Sequence, residues 1–402
     1  MDTRIMTLAA LAMAGAASLC AAGEEVPVVH NAAPAEADTS VYELTEVWRA
    51  GGLDDEVLFG WVMDVIGDEA GRVYLLDSQL KQIVVYDVDG TYLDTLGREG
   101  EGPGEFSQPG GMFWWDEDVI AVTAGRIGVL DLIDTGGVPA GSVVLADEGD
   151  ERIMIGYNTC AALGEALVLS GNMGTGSATG VRTEIVIDAF GRDGRRIARL
   201  REHVHERPLH PFVFDEGAGT APWSGWAAAP DGRFYTAPDR SRYEIEALDA
   251  DGRTRLRFSR DYDSLERSEV TREEIRSGIL DNVRAAFPDA KAVLLDHHRD
   301  VRDIQVGHDG HLWITGSRGA TTERDEVVCV YDVFDTDGRW LRCAEVRDPH
   351  GGALHSLRFL PRERVLCRVM MDEDGGVYHT GDEEAPEETA YGVVCYRLSR
   401  RD

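Results

Sequence analysis

Two aspartates and one arginine occupy equivalent positions ahead of a recurring turn in this chain. Asp64, Asp303 and Arg368 each precede a turn that contains glycine, and Gly225 holds the same position in another copy of the pattern. Two carboxylates and a guanidinium that face one cavity could bind a polar ligand. They could equally form ion pairs with one another and fill that cavity. Both interpretations require these residues to lie at the start of the innermost strands around a central channel.

A glycine-rich segment, LGREGEGPGEFSQPGG (96–111), has the composition of a phosphate-binding loop. Such a loop needs G-x-G-x-x-G, or a P-loop lysine, at the start of a helix so that backbone N–H groups face the anion. Here the glycines at 100, 102 and 104 are two residues apart, Pro103 removes a donor, and the glutamates of the segment would repel phosphate. We therefore predict a structural joint between two repeats, anchored by Phe106.

Histidine clusters and acidic turns are the features that could bind a metal. The histidines of interest are His203, His205, His210, His297, His298, His308 and His311. Zinc ligands in a channel should come from equivalent positions of several repeats, whereas these histidines fall in loops or just past turns. The turns DVDG, DADG, DTDG and DEDG lack the full spacing of a calcium loop, although the acidic surface could hold calcium loosely. The sequence therefore predicts no tightly bound metal and no other cofactor.

A repeated strand pattern must position all of these residues. One signature is an apolar run, an acidic turn with glycine and a second apolar run, as in VIGDEAGRVYLLD from Val65. The other is a strand, an Asp-Gly turn and a strand, as in IVVYDVDGTYLDTL from Ile83. Each pair of signatures predicts two hairpins, hence a four-stranded antiparallel unit. The turns of the first signature recur near positions 71, 118, 164, 232, 310 and 375, which predicts an all-β, six-bladed β-propeller.

The two chain ends and one insertion complete this prediction. The last blade contains only three strands, and VYELTEVWRA from Val41 is a strand-like segment ahead of the first blade. We predict that this N-terminal strand closes the ring. Residues 259–299 change to a helical period, and Thr271, Glu274 and Pro288 delimit a helix over 271–287 between blades four and five. That helix either packs against the side of the barrel or forms a lid over one mouth of the channel.

The N-terminus predicts export. LAALAMAGAASL has the length of a signal-peptide apolar core and is too short to span a membrane. We predict a signal peptide over 1–22, a flexible leader over 23–38 and one propeller over 39–402. A lipid anchor at Cys20 is the less favoured alternative, because Leu19 stands where a small residue is needed. A cleaved signal peptide predicts that the protein is periplasmic or extracellular.

The net charge of the chain limits the kinds of partner that it can bind. The net charge of −33, from 73 acidic and 40 basic residues, repels phosphate backbones and anionic membranes, so nucleic acid is excluded as a partner. We expect a monomer that binds a protein or a small molecule. Export permits disulfides, but the sequence does not define a pairing among five cysteines, Cys160, Cys329, Cys343, Cys367 and Cys395.

The first blade also resembles a known repeat. DVIGDEAGRVYLLDSQLKQIVVYDVDGTYLDTLGREGEGPGEFSQPGG is similar to an NHL repeat, and the mature chain resembles bacterial exported six-bladed β-propellers related to NHL proteins. Some NHL-like lyases hold zinc through histidines in the channel. The resemblance implies a fold more than a function. We predict a non-catalytic scaffold that binds its ligand or protein partner through one face or the channel; the alternative is a metal-dependent hydrolase or lyase with its site in the channel.

Overall fold

The computed structural model describes most of the chain after the N-terminal segment. The described residues are 25–32, 39–53, 55, 57–147, 151–177, 179–217, 225–320, 324, 326–348, 357–371, 377–378 and 389–401. The predicted signal peptide over 1–22, and Cys20 with it, lie outside these residues.

The strands follow one another along the chain as antiparallel sheets. Two N-terminal strands come first, β1 (Val28–Asn31) and β2 (Thr39–Gly51). The first sheet contains β3 (Val62–Gly67), β4 (Val73–Asp77), β5 (Gln82–Tyr86) and β6 (Tyr92–Leu96), and a short pair, β7 (Arg98–Glu99) and β8 (Glu105–Phe106), leads to the second. The second sheet contains β9 (Met112–Asp116), β10 (Val119–Val122), β11 (Val129–Asp134) and β12 (Pro139–Val144). The third contains β13 (Gly156–Leu163), β14 (Ala166–Gly176), β15 (Gly180–Phe190) and β16 (Arg196–Pro208).

The second half of the chain continues this order around one insertion. After β17 (Val213–Asp215), the fourth sheet contains β18 (Trp226–Ala228), β19 (Phe234–Thr236), β20 (Glu244–Leu248) and β21 (Thr254–Arg260). The insertion contributes α1 (Glu269–Val283) and β22 (Lys291–Val293). The fifth sheet contains β23 (Val301–Val306), β24 (Leu312–Gly316), β25 (Val327–Phe334) and β26 (Trp340–Arg347), with the short helix α2 (Ser317–Ala320) after β24. The sixth contains β27 (Leu357–Leu360), β28 (Arg364–Met371) and β30 (Ala390–Arg400) in that order, with the short β29 (Val377–Tyr378) paired to β28, and β2 joins it to the fifth.

The sheets are arranged around one axis. The first strand of each sheet contacts the first strand of the next, in the order β3, β9, β13, β18, β23 and β27, and β27 contacts β3 again. Outside the insertion, the hydrophobic clusters follow the same circle, because each combines side chains of two neighbouring sheets. Leu76 and Ile120 share the cluster between the first and second sheets, and Leu366 and Leu75 share the one between the sixth and the first. This cyclic order is that of a β-propeller.

The N-terminal strand β2 lies beside the C-terminal strand of the chain. It pairs antiparallel with β30 from Tyr42 opposite Arg400 to Gly51 opposite Gly392. Its first residues also pair in parallel with β26. The edge that β30 would otherwise present is therefore covered by the other end of the same chain.

The predicted flexible leader contains a strand, so that prediction is wrong over Val28–Asn31. These residues form β1, which pairs in parallel with β21. The Asn31 side chain donates to the carbonyl oxygens of Ser259 and Gly338, both at 3.0 Å, and accepts from Trp340 N at 2.9 Å. Four residues are too few to show a periodic pattern, and the Asn31 side chain makes much of the contact between β1 and the rest of the protein. The strand could therefore not be predicted from the sequence.

The sixth sheet differs from the prediction that its first hairpin turns near position 375. The turn between β27 and β28 instead lies at 361–363, where Arg362 (φ 62°) and Glu363 (φ 57°) adopt left-handed backbone conformations. Such turns usually contain glycine, and this one does not, so a search for turn glycines misses it. Position 375 itself lies outside the described residues.

The insertion packs largely on itself. Ser268 caps α1 by accepting from Thr271 N at 3.0 Å, so the helix begins earlier than the predicted residue 271 and ends at Val283. Leu280 of the helix is buried with Phe212 and Ala290, and β17 and β22 form a small parallel sheet beside it. Within the described part of the chain, no helix is both long and apolar enough to cross a membrane.

The five cysteines of the predicted mature chain are all thiols in this structure. Cys160, Cys329, Cys367 and Cys395 are buried, and Cys343 is half-buried. Burial raises the pKa of Cys329 to about 12 and that of Cys395 to about 11. These two thiols therefore stay protonated near neutral pH.

Candidate functional site

A cavity of about 490 Å³ lies inside the ring of first strands. All six first strands contribute to its wall, and its volume suits a small molecule. The polar side chains of the wall are Asp64, Thr159, Asp303, Gln305 and Arg358. The apolar and aromatic part includes Ile66, Phe113, Trp114, Ala162, Trp226, Ala228, Val306 and Phe359.

Asp64 lies in the wall of the cavity, as predicted, and ties two sheets together. Its Oδ1 accepts from Val65 N and its Oδ2 from Met112 N, both at 2.9 Å. The second bond joins β3 to β9 across the gap between the first and second sheets. Burial raises the pKa of this carboxyl, while the two amides and the nearby Arg358 oppose that shift.

Asp303 also lines the cavity, as predicted. Its Oδ2 accepts from Gln305 Nε2 at 2.8 Å, and the same amide group donates to Leu357 O at 2.8 Å. The Gln305 side chain thus connects β23 to β27. Burial raises the pKa of Asp303, and the positive charge of Arg358 partly offsets it.

Asp303→Asn should change stability in a pH-dependent way. A carboxyl whose pKa is raised by folding destabilises the protein while it is ionised, and this penalty disappears below its unfolded value near 3.8. We therefore expect the Asn variant to be the more stable protein at about pH 7, with the difference shrinking as the pH falls. Urea denaturation of both proteins across that range measures the effect. An advantage that does not depend on pH would contradict the prediction.

Arg358 is the cationic group of the cavity wall, and it is not among the residues predicted from the sequence. It is the second residue of β27 and is exposed to the cavity. Within the described part of the chain it makes no hydrogen bond and no ion pair, although Asp64 and Asp303 are its electrostatic neighbours. The alternation in LRFL, followed by Pro361, was the signal that could have identified this strand.

Arg368 lies elsewhere than predicted. It is on β28, the second strand of the sixth sheet, and is not part of the cavity wall. Its guanidinium donates to Val62 O at 2.8 Å and lies 5.8 Å from the centre of the Trp61 ring. Burial, together with the charge of Arg358, lowers its pKa. The correction follows from the turn at 361–363, which moves the first strand of the sheet to Leu357–Leu360.

The glycine-rich segment forms a joint between the first and second sheets. Phe106 is fully buried, and β7 and β8 pair in parallel within the segment. Glu105 accepts from Gly102 N at 2.9 Å and pairs with Arg98 at 2.8 Å, so its carboxylate occupies the centre of the loop. A carboxylate in that position leaves no room for a phosphate.

The predicted histidine clusters have local partners. His203 and His205 stack on β16 with ring centres 6.5 Å apart, His297 contacts Ser241 and Asp296, and His311 contacts Asp309. Among the residues that the structure describes, no three or more His, Cys, Asp or Glu side chains are grouped so that they could hold a metal ion.

Comparisons with known proteins agree on the fold. Residues 54–126 match a family, DUF5128, described as a 6-bladed beta-propeller. A presumed exported protein of Bacteroides fragilis is similar in structure, with a TM-score of 0.51 and 12% sequence identity over 93% of this chain and 99% of that one. A DUF4221 family member of Bacteroides vulgatus gives a TM-score of 0.50 and 11% identity over 90% of this chain and 99% of that one. No curated protein matches this sequence. The chain is thus similar to β-propellers in fold.

Proposed function

We propose that this protein is an exported six-bladed propeller, closed by β2, that binds a small ligand in its central channel without catalysis. The apolar N-terminal segment supports export, and the Bacteroides fragilis neighbour belongs to the same class of protein. The cyclic contacts of the first strands and the pairing of β2 with β30 support the closed six-bladed arrangement. We expect the protein to act as a monomer.

The state of Arg358 carries the proposal. If the channel charges only formed ion pairs that fill the space, the Arg358 guanidinium would pair with Asp64 or Asp303, which are both its electrostatic neighbours. No nitrogen of Arg358 lies within 4.0 Å of a carboxylate oxygen in the described part of the chain, and both aspartates accept from other groups. The channel therefore presents hydrogen-bond donors toward open space, which is the arrangement of a binding site.

Thr159→Trp should abolish binding in the channel. Thr159 is an exposed residue of the cavity wall, so an indole at this position fills the channel without entering the core. Val144→Trp is the matched control, since Val144 lies on β12 with 54% of its surface exposed. Glucose, glutamate, malate, phenylacetate and adenosine monophosphate are tested by calorimetry against both variants and the native protein.

We expect at least one of these compounds to bind the native protein and Val144→Trp but not Thr159→Trp. Binding that survives in Thr159→Trp, or a native protein that binds none of the compounds, would contradict a channel site. The Arg358→Ala variant serves as a second readout, because an exposed side chain can be truncated without disturbing folding.

A further inference from the structure

We propose that the channel ligand is a small organic anion, with an apolar body inside the channel and a carboxylate or phosphate group bound by Arg358. This inference rests on the proposed function and adds the chemical class of the ligand. It comes from the hydrogen-bonding groups of the channel, the charge around one mouth and the apolar lining.

The hydrogen-bonding groups of the channel favour a ligand with acceptors. Asp64 already accepts from two backbone amides, and Asp303 accepts from Gln305. Arg358 offers five N–H groups, which bind nothing among the described residues. A ligand oxyanion would satisfy these donors, and guanidinium groups bind carboxylate and phosphate oxygens in pairs.

The first strands, and Arg358 with them, begin at one mouth of the channel. Two further arginines lie at the rim of that mouth. Glu216 receives Arg267 through two bonds of 2.7 and 2.9 Å and Arg240 through one of 2.5 Å. Leu295 N also donates to it at 3.0 Å. One carboxylate thus holds two guanidinium groups, and this cluster stays positive by one charge. It lies beside the start of β23, because Asp300 N donates to Arg240 O at 2.9 Å.

Three arginines, Arg240, Arg267 and Arg302, and one glutamate, Glu216, are the charged neighbours of His298 and Arg299. Burial lowers the pKa of Arg299, the charges of Arg240 and Arg302 lower it further, and Glu216 partly opposes them. The pKa of His298 is lowered by burial and then by Arg267, Arg302 and Arg240. Mutually repelling cations are unexpected in a chain with a net charge of −33. A bound anion would relieve this repulsion.

The rest of the channel wall is apolar, which defines the other part of the ligand. Ile66, Trp114, Ala162, Ala228 and Val306 follow the polar residues along the first strands. Trp114 donates its indole N–H to Gly67 O at 2.9 Å, so its ring offers only an apolar surface to the cavity. A space of about 490 Å³ admits a small molecule. Polyanions are repelled by the acidic remainder of the surface.

Three compounds with the same ring and different charge test this inference. Phenylacetate, its neutral amide phenylacetamide and the cation phenethylamine are added at millimolar concentrations, and binding is measured by ligand-observed NMR and calorimetry. Phenyl phosphate is the fourth probe, which distinguishes a carboxylate site from a phosphate site. The proteins are the native chain, Arg358→Ala, Arg358→Lys, Thr159→Trp and Arg397→Ala. Arg397 is exposed on β30, so its removal changes the net charge equally without altering the channel.

We expect the anions to bind the native protein and Arg397→Ala, and the amide and the amine not to bind. Arg358→Ala should weaken anion binding about 10- to 100-fold, as expected for the loss of charged hydrogen bonds, and Arg358→Lys should weaken it less. Amide or amine binding equal to that of the anions, or no anion binding, would overturn the anionic class. If the amide binds and Thr159→Trp abolishes that binding, the channel site stands and only the class is wrong. If anion binding persists in Thr159→Trp, both proposals fail.

Discussion

Asp332→Ala should lower the free energy of unfolding by about 3–5 kcal/mol, because it leaves a buried guanidinium without its carboxylate. Asp332 lies on β25 of the fifth sheet and is 5% exposed. It accepts from Tyr243 Oη at 2.7 Å and pairs with Arg260 at 2.8 Å; Arg260 ends β21 of the fourth sheet and Tyr243 directly precedes β20. The carboxylate therefore connects two sheets, and its loss weakens the ring between them.

Two further variants separate the charge effect from simple loss of packing. The double substitution Arg260→Met with Asp332→Leu removes both charges and should recover much of the lost stability, since apolar replacements of a buried pair are often tolerated. Asp261→Ala is the control, because its carboxylate is 61% exposed in a surface pair with His30 and should contribute little. Urea denaturation gives all three values. A double variant as unstable as Asp332→Ala would contradict this explanation.

Trp48→Ala should have a comparable effect, about 3–5 kcal/mol, at the place where the chain ends meet. Trp48 lies on β2 and is 6% exposed. Its ring stacks on Tyr86 of the first sheet with centres 5.4 Å apart and planes at 23°. The side chain thus fills the space between the closing strand and the first sheet, and alanine leaves a cavity there.

Amide hydrogen exchange measures whether the loss of stability in Trp48→Ala is confined to β2, the strand that pairs with β30. We expect residues 39–51 to exchange faster in Trp48→Ala, because β2 loses the large buried side chain that attaches it to the first sheet. Trp61→Ala, at a residue 38% exposed, is the matched control and should cost clearly less. Equal losses in the two variants, measured by urea denaturation, would show that Trp48 does not have this role.

The fold was predictable where turn chemistry is regular. Gly71, Gly232 and Gly310 all have positive φ angles, as their turns require, and each lies seven residues after Asp64, Gly225 and Asp303 respectively. Those three residues consequently reach the cavity wall, as the alignment predicts. This seven-residue spacing identifies a channel residue only where the turn contains glycine.

The rest of the site was not predictable because the sixth sheet breaks this rule. Its first turn places Arg362 and Glu363 in left-handed conformations, so the same spacing selected Arg368 in place of Arg358. Two carboxylates and one arginine do lie in the cavity wall, but the arginine there is Arg358 and not the predicted Arg368. The rim cluster of Glu216, Arg240 and Arg267 was also hidden, because its members come from separate loops. Only tertiary structure brings such groups together.

The direction of β1 determines which mouth of the channel faces away from an attachment at the N-terminal side. β1 runs parallel to β21, and three antiparallel pairings across the fourth sheet make it run opposite to β18. The first strands begin at the arginine-rich mouth, so Pro27 and Val28 lie at the far end of the propeller. A tether attached ahead of Pro27, whether a lipid or an engineered linker to a sensor surface, would leave from that far end. The mouth would then face away from the support and toward solutes arriving from solution.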